Sequence, residues 1–290
     1  MTTSLARKLP GLLALLLLAV AQTEAAPQLE TVVFSTGEPG GGYWRAGARL
    51  QGVAADMGFA VENLASAGST ENIERLLDPQ SPVGLAFAQA DVLQHYFNAH
   101  PDAEQKLDVL ESIGRECVFL VTASASGMRT DEDLQDRAAR ITLGIDSEAS
   151  GVAATFDYLR SLAPELDEIT IAFGDTRAAL ERLMQSADGV DAVMVVHRPR
   201  VHSPEVDIVI ASPGHFNLVH FSDERFTRPL AGGRKIYRRM RLGLPGLEKP
   251  VVTICTRGLL IAHKEKLSVR QSNKLTDLVN YHWMRVFVSP

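Results

Sequence analysis

The chain has 290 residues, 46% hydrophobic and 22% charged, which places it among ordinary globular proteins and excludes a disordered or fibrous chain. Its 29 Lys and Arg against 35 Asp and Glu give a formal net charge of −6, without the cation excess on which nucleic-acid affinity rests. One large domain or two of ordinary size would use this length.

The first segment reads as an export signal. Arg7 and Lys8 precede a run that is almost wholly apolar from Leu9 to Ala21, and small residues around Ala25-Ala26 offer a cleavage site before Pro27. The run is short of the roughly 20 residues that span a bilayer. Residues 1–26 are therefore expected to be removed. The mature chain would keep 264 residues with 27 cations and 34 anions, a net charge of −7, and would be a soluble periplasmic protein.

Beyond the signal, short apolar runs alternate with helical patterns. Val32-Val33-Phe34 predicts a strand, followed by a Gly-rich turn and a helix from about Tyr43. That helix has apolar positions Tyr43, Ala46, Gly47, Leu50, Ala54 and Met57 at the helical period. Ala60 to Leu64 predicts a strand, Thr70 to Leu77 a helix, Val83 to Ala88 a buried strand and Ala90 to Asn98 a helix. Leu107 to Thr122 holds one long strand or two successive ones. The pattern then restarts with a helix start at Thr130 and Asp133 and a strand over Ile141 to Ile145. A helix from Ser150 to Leu162, a strand over Ile169 to Phe173, a helix capped by Asp175 and a very apolar strand over Val190 to Val196 follow. Such alternation predicts an α/β fold with helix-covered sheets, and its restart predicts two lobes. Regularity weakens after Val206. Strand character returns at Val251 to Ile254 and Leu259 to His263, before a last helix with Leu275, Leu278, Val279, Trp283 and Val286 on one face.

The segments able to bind a ligand are turns at the carboxyl ends of strands. Ser35, Thr36, Gly37, Gly41, Gly42 and Tyr43 belong to a strand-to-helix turn, where free backbone N–H groups and the helix dipole suit a carboxylate or phosphate. The same residues could also be no more than a tight turn. In a second turn, Ser69 suits an N-cap, with Asn72 a few residues on. Gln89 and Asp91 emerge at the end of the Val83–Ala88 strand, Ser147, Ser150 and Gly151 follow the Ile141–Ile145 strand, and Arg198 or Arg200 follows the Val190–Val196 strand. Ligands of open α/β sheets gather at such ends.

Cofactor and catalytic motifs fail on the same residues. Gly37 and Gly42 have P-loop spacing, but Tyr43-Trp44 stands where Lys-Ser or Lys-Thr is required, and Arg45 replaces the third glycine of a dinucleotide fingerprint. The pairs His95/His100, His197/His202 and His215/His220 lack the spacing that puts two ligands on one helical face, and neither HExxH nor GxSxG occurs. No enzyme activity, metal or cofactor is expected.

In their order, these segments resemble the TAXI family of TRAP-transporter solute receptors. The resemblance rests on Thr36-Gly37 through Tyr43, Gly68-Ser69-Thr70-Glu71-Asn72, Gln89-Ala90-Asp91, Leu143-Gly144 to Gly151 and Asp191-Ala192-Val193, and spans about residues 30–265. It implies a two-lobed periplasmic-binding-protein fold of the second type, with a mixed sheet covered by helices in each lobe. Lobe 1 would comprise 27–121 and 250–290, and lobe 2 residues 122–249, with crossings near Thr122 and Val251. It also implies a monomer that holds an amino acid or carboxylate, such as glutamate, between the lobes and hands it to TRAP-type membrane subunits. An ABC-type receptor of the same fold and a ligand-sensing partner of a membrane histidine kinase are the alternatives. The implied topology makes neighbours of the segments carrying Cys117 and Cys255, so that a disulfide is possible in an oxidising compartment; two separate buried thiols are the alternative. Glu38, Asp146 and Glu148 depart from the family pattern by making the turns acidic, which favours a zwitterionic or amine-bearing solute over a simple anion.

Overall fold

The computed structural model describes residues 31–185, 189–199, 203–212, 214–243 and 250–288. The expected export segment, Arg200 and His202 lie outside the described residues. The chain opens with β1 (Thr31–Ser35), α1 (Gly42–Asp56), β2 (Ala60–Leu64), α2 (Ser69–Leu77), β3 (Val83–Gln89), α3 (Ala90–Ala99), α4 (Ala103–Lys106) and the long β4 (Leu107–Ala123). A second series follows: α5 (Asp131–Asp136), β5 (Thr142–Ile145), α6 (Gly151–Leu162), β6 (Thr170–Phe173), α7 (Thr176–Met184), β7 (Ala192–His197) and α8 (Pro204–Ala211). The chain closes with β8 (Phe216–Leu218), β9 (Arg238–Leu242), β10 (Val251–His263) and α9 (Val269–Phe287).

The strands follow the order β2-β1-β3-β10-β4-β7-β5-β6, with β8 on β4 and β9 on β10. β1 runs parallel to β2 and β3, and β5 runs parallel to β6 and β7. The antiparallel strands β4 and β10 join these two sets, because each is long enough to serve in both. β4 pairs with β10 from Leu107 to Cys117 and with β7 from Cys117 to Thr122. β10 pairs with β9 from Val251 to Cys255 and with β4 from Cys255 to His263. The exchange of partners thus falls at Cys117 and Cys255. These two cysteines are directly opposite each other and form a disulfide, with Cα atoms 3.9 Å apart. It ties together the two strands that connect the halves.

Each half has its own apolar core. In the first, Leu50 of α1, Phe34, Phe87 and Leu260 of the strands, and Leu275 and Leu278 of α9 are all fully buried. In the second, Leu143, Phe156, Tyr158, Met194 and Tyr237 pack together around α6. The stripe expected on α1 is the one it buries, and α9 turns Leu275, Leu278, Val279 and Val286 inward across a break in helical geometry at His282. Burial of each such Leu or Phe stabilises by about 1.5–3 kcal/mol. Helix starts follow the capping rules: Thr130 forms a capping box with Asp133, and Ser150 and Asp175 cap α6 and α7.

Candidate functional site

A cavity of about 230 Å³ lies between the two halves. From the first half, its walls carry Gly37, Glu38, Gly41, Gly42, Tyr43, Arg45 and Arg49 of the first turn and α1, together with Ala67, Gly68, Ser69 and Gln89. From the second, they carry Asp146, Ser150, Gly151 and Val152 with Val196, His197 and Arg198, and Glu116 comes from the crossing strand β4. The helix starts at Gly42 and Ser69 are preceded by Gly41 and Gly68, and no side chain caps either. Two uncapped helix N-termini, with free N–H groups at the positive end of the dipole, are therefore set at the cavity wall. Gly68, not Ser69, is the N-cap of α2, which leaves the Ser69 hydroxyl to accept from Gln89 N at 3.0 Å.

Of the residues singled out in the sequence, Gly37, Gly41, Gly42, Tyr43, Ser69, Gln89, Ser150, Gly151 and Arg198 line this cavity. Ser35, Thr36 and Asn72 lie behind it, fully buried and occupied with one another. Ser35 Oγ donates to Asn72 Oδ1 at 2.6 Å, and Asn72 Nδ2 donates to the carbonyls of Thr36 and Phe87, both at 2.8 Å. They hold the turn and have no polar group left for a solute. Ser147 is also off the wall; its carbonyl accepts from Ser150 Oγ at 2.7 Å.

Asp91 is completely buried in the seam between the halves. Its Oδ2 accepts from Thr155 Oγ1 of α6 at 2.8 Å and from Tyr237 Oη at 2.7 Å, and Gln89 Nε2 donates to the same Thr155 hydroxyl at 3.2 Å. Side chains of β3 and α3 are thereby bonded to side chains of the second half. Oδ1 of Asp91 has no partner, and burial raises the Asp91 pKa against the pull of these hydrogen bonds. The backbones also meet here. A Cβ on Gly68, whose φ is +145°, would lie 3.0 Å from Gly151 N, and one on Gly151 would overlap Gln89 Oε1. The two halves are thus in direct contact along this seam.

The electrostatics of the cavity depend also on Arg45, Arg49 and Glu116, which the sequence reading did not single out as site residues. Arg45 and Arg49 stand one turn apart on α1, and burial, followed by the charges of Arg198 and Arg45, lowers the Arg49 pKa. Arg49 Nε donates to Val286 O at 2.7 Å, and Arg198 Nη1 donates to Phe287 O at 3.0 Å. Both acceptors are terminal carbonyls of α9, at the negative end of its dipole. Nη2 of Arg198 is buried without a partner. Glu116 faces this group, and burial pushes its carboxyl up to about 7 despite the attraction of Arg198. The Tyr43 hydroxyl, also buried and beside the Glu116 carboxyl, is pushed well above its ordinary value by burial and the Glu116 charge. Asp146 is raised too, by burial and then by the charges of Asp175 and Glu205. Two arginines four residues apart after a Gly-rich turn, and a lone carboxylate beside the apolar Cys117–Val121 run, were the signals available in the sequence.

No protein-family model and no curated protein sequence matches the chain. Solved structures do. Lactococcal OpuAC in its closed form with glycine betaine has a TM-score of 0.52 at 15% identity, over 86% of this chain and 83% of that one. The fold is that of the type 2 periplasmic binding proteins. The arginine-, lysine-, histidine-binding protein ArtJ of Geobacillus stearothermophilus is similar at TM-score 0.50 and 13% identity, over 89% of this chain and 94% of that one. MatC of Rhodopseudomonas palustris with bound malate matches at TM-score 0.50 and 16% identity, over 89% and 85%. The chain therefore has two lobes joined by β4 and β10, and its candidate site is the interlobe cleft.

Proposed function

We propose that this protein is an extracytoplasmic receptor of the TAXI type, which captures a small carboxylate-bearing solute, most simply a glutamate-like amino acid, and delivers it to a TRAP-type membrane transporter. The observation that carries this reading is the buried, unpartnered Nη2 of Arg198, beside Arg45 and Arg49 and within a cavity that also holds two uncapped helix N-termini. A buried guanidinium N–H without an acceptor costs on the order of 1–3 kcal/mol, which a ligand carboxylate would recover. Glu38, Glu116 and Asp146 offer the opposite charge to an ammonium group in the same cavity. A volume of about 230 Å³ suits a solute of amino-acid size.

In this reading the chain is exported, loses residues 1–26 and acts as a monomer without catalytic chemistry. Lobe 1 comprises 27–121 and 250–290, and lobe 2 comprises 122–249, with the disulfide rung at the junction. Because Arg198 belongs to lobe 2 and the helix N-termini to lobe 1, a solute touching both favours the closed state by its differential affinity. The Asp91–Thr155–Tyr237 contacts then form only on closure.

Titration calorimetry of amino acids and dicarboxylates into refolded, ligand-stripped protein tests the proposal. An α-amino acid that places its ammonium at Glu116 releases a proton on binding, so its affinity should rise as pH rises through about 7. A solute with only carboxylates should show the opposite slope. Absence of binding by every carboxylate solute would refute the proposal.

A further inference from the structure

A second cavity, much larger at about 1350 Å³, opens on the other side of β4 and shares no lining residue with the cleft. Successive strand side chains alternate in direction, so Glu116 lines one cavity and its neighbour Arg115 the other. The larger cavity carries six cations (Arg115, Arg234, Lys235, Arg238, Arg239 and Arg257) and one carboxylate, Glu224. In a chain of net charge −6 this is a marked local inversion. Arg234 Nη2 donates to Gln94 Oε1 at 2.6 Å and Arg239 Nη2 donates to Ser222 O at 2.5 Å. Among the described residues none of the six is in an ion pair.

The strand register makes the arrangement costly. Arg115 and Arg257 are directly opposite each other on β4 and β10. The next rung on the same face is the Cys117–Cys255 disulfide, with Arg238 of β9 opposite Cys255. Like charges directly opposite one another destabilise a sheet, and no carboxylate on these rungs offsets them. Packing does not explain the pair, since both side chains are exposed. An anionic partner would.

The shape narrows the partner. The cavity exceeds the roughly 300–1,000 Å³ of ordinary small-ligand sites, and a flat bilayer cannot reach into a concave groove. Beside it, a cavity of about 230 Å³ shares Arg234, Ile236 and Arg257 and is lined also by Leu93, Phe97, Val109, Leu259 and the carboxylate of Glu104. Val109 is 51% exposed there. We infer that this groove docks an acidic segment of a protein partner, whose carboxylates meet the arginines across β4, β9 and β10 while an apolar side chain enters the adjoining pocket. Arg115, Cys255 and Arg257 of the lining belong to β4 and β10, the strands that join the lobes, so such a partner would sit where closure of the cleft is mechanically expressed. Nothing in this depends on which solute the cleft holds.

The test is fluorescence anisotropy of a labelled peptide of alternating glutamate and leucine, added to the full mature chain at low salt. Saturable binding is expected, weakened at least about fivefold in the Arg115→Ser/Arg257→Ser double variant and strongly weakened by salt. The thermal midpoint of that variant should be unchanged or higher, since a like-charge rung is removed. Arg115→Glu provides a second variant, with the same loss expected. Three results would overturn the proposal: no saturable binding, equal binding by both variants, or binding of inorganic tripolyphosphate or phosphatidylglycerol vesicles without binding of the peptide.

Discussion

The molecule has two arginine-rich cavities on opposite sides of one strand, and they are built differently. In the cleft, Arg49 and Arg198 are fixed by the terminal carbonyls of α9, and Glu38, Glu116 and Asp146 stand among them. In the groove, Arg115, Lys235, Arg238 and Arg257 are exposed and hold no partner among the described residues, with a single carboxylate for six cations. Fixed side chains lose little entropy when a ligand arrives and so can select one small solute. Free side chains adapt to a longer, less defined partner and are screened by salt. The disulfide joins β4, which contributes to both cavities, to β10, which lines the groove.

Five variants would break or sharpen this contrast. The largest effect is expected at the shared rung. Replacing Cys117 and Cys255 with Ser removes the cross-link over 138 residues of chain and should lower stability by about 2–5 kcal/mol, read from denaturant unfolding with and without reductant. Next, Arg198→Ala should weaken solute binding by at least about tenfold, since a buried charge-assisted pair contributes about 1.5–3 kcal/mol. Arg238→Ala, in the groove, should leave solute affinity within about twofold. If both changed solute affinity equally, the two cavities would not be separate in function.

Closure itself can be tested at Gly151. A Cβ there overlaps Gln89 Oε1, so Gly151→Ala should displace the Gln89 side chain, break its bond to Thr155 and shift the lobes toward the open state. Loss of one such hydrogen bond is worth about 1 kcal/mol, or roughly fivefold in solute affinity. Small-angle scattering with saturating solute should show a larger radius of gyration than for the unchanged protein.

The smallest effect concerns pH. Glu116 has a folded pKa raised from 4.5 to about 7, so its contribution to stability is complete below pH 4.5 and is lost as pH rises toward about 7. Unfolding free energy should therefore fall across that window by about 1–2 kcal/mol more in the unchanged protein than in Glu116→Gln. Asp91, raised by burial, acts in the same direction in both proteins. Identical pH profiles would mean that Glu116 is solvated, and the electrostatic description of the cleft would fail.

Much of this architecture is legible in the sequence because hydrophobic period and turn chemistry are local. The alternation from Val32 to Val196, the Thr130 and Ser150 caps and the buried face of α9 follow from neighbouring residues alone. What depends on long-range register is not legible in that way. The pairing of Arg115 with Arg257, and the exchange of partners at Cys117 and Cys255, exist only once β4 and β10 lie side by side. The weakly patterned stretch after Val206 contains α8, β8 and β9, whose places are set by tertiary packing more than by period. At the candidate site, strand ends located the turns correctly, but polar residues there divide into two uses that composition cannot separate. Asn72 and Ser35 are consumed in holding the turn, whereas Gln89 and Arg198 reach the cavity.

The most direct test is titration calorimetry of L-glutamate and related carboxylates into ligand-stripped wild-type protein and Arg198→Ala. Micromolar or tighter binding of at least one such solute to the wild type, weakened at least about tenfold in the variant, is the expected result. Tight binding that Arg198→Ala leaves unchanged, or no binding of any carboxylate solute, would contradict a cleft built around that guanidinium.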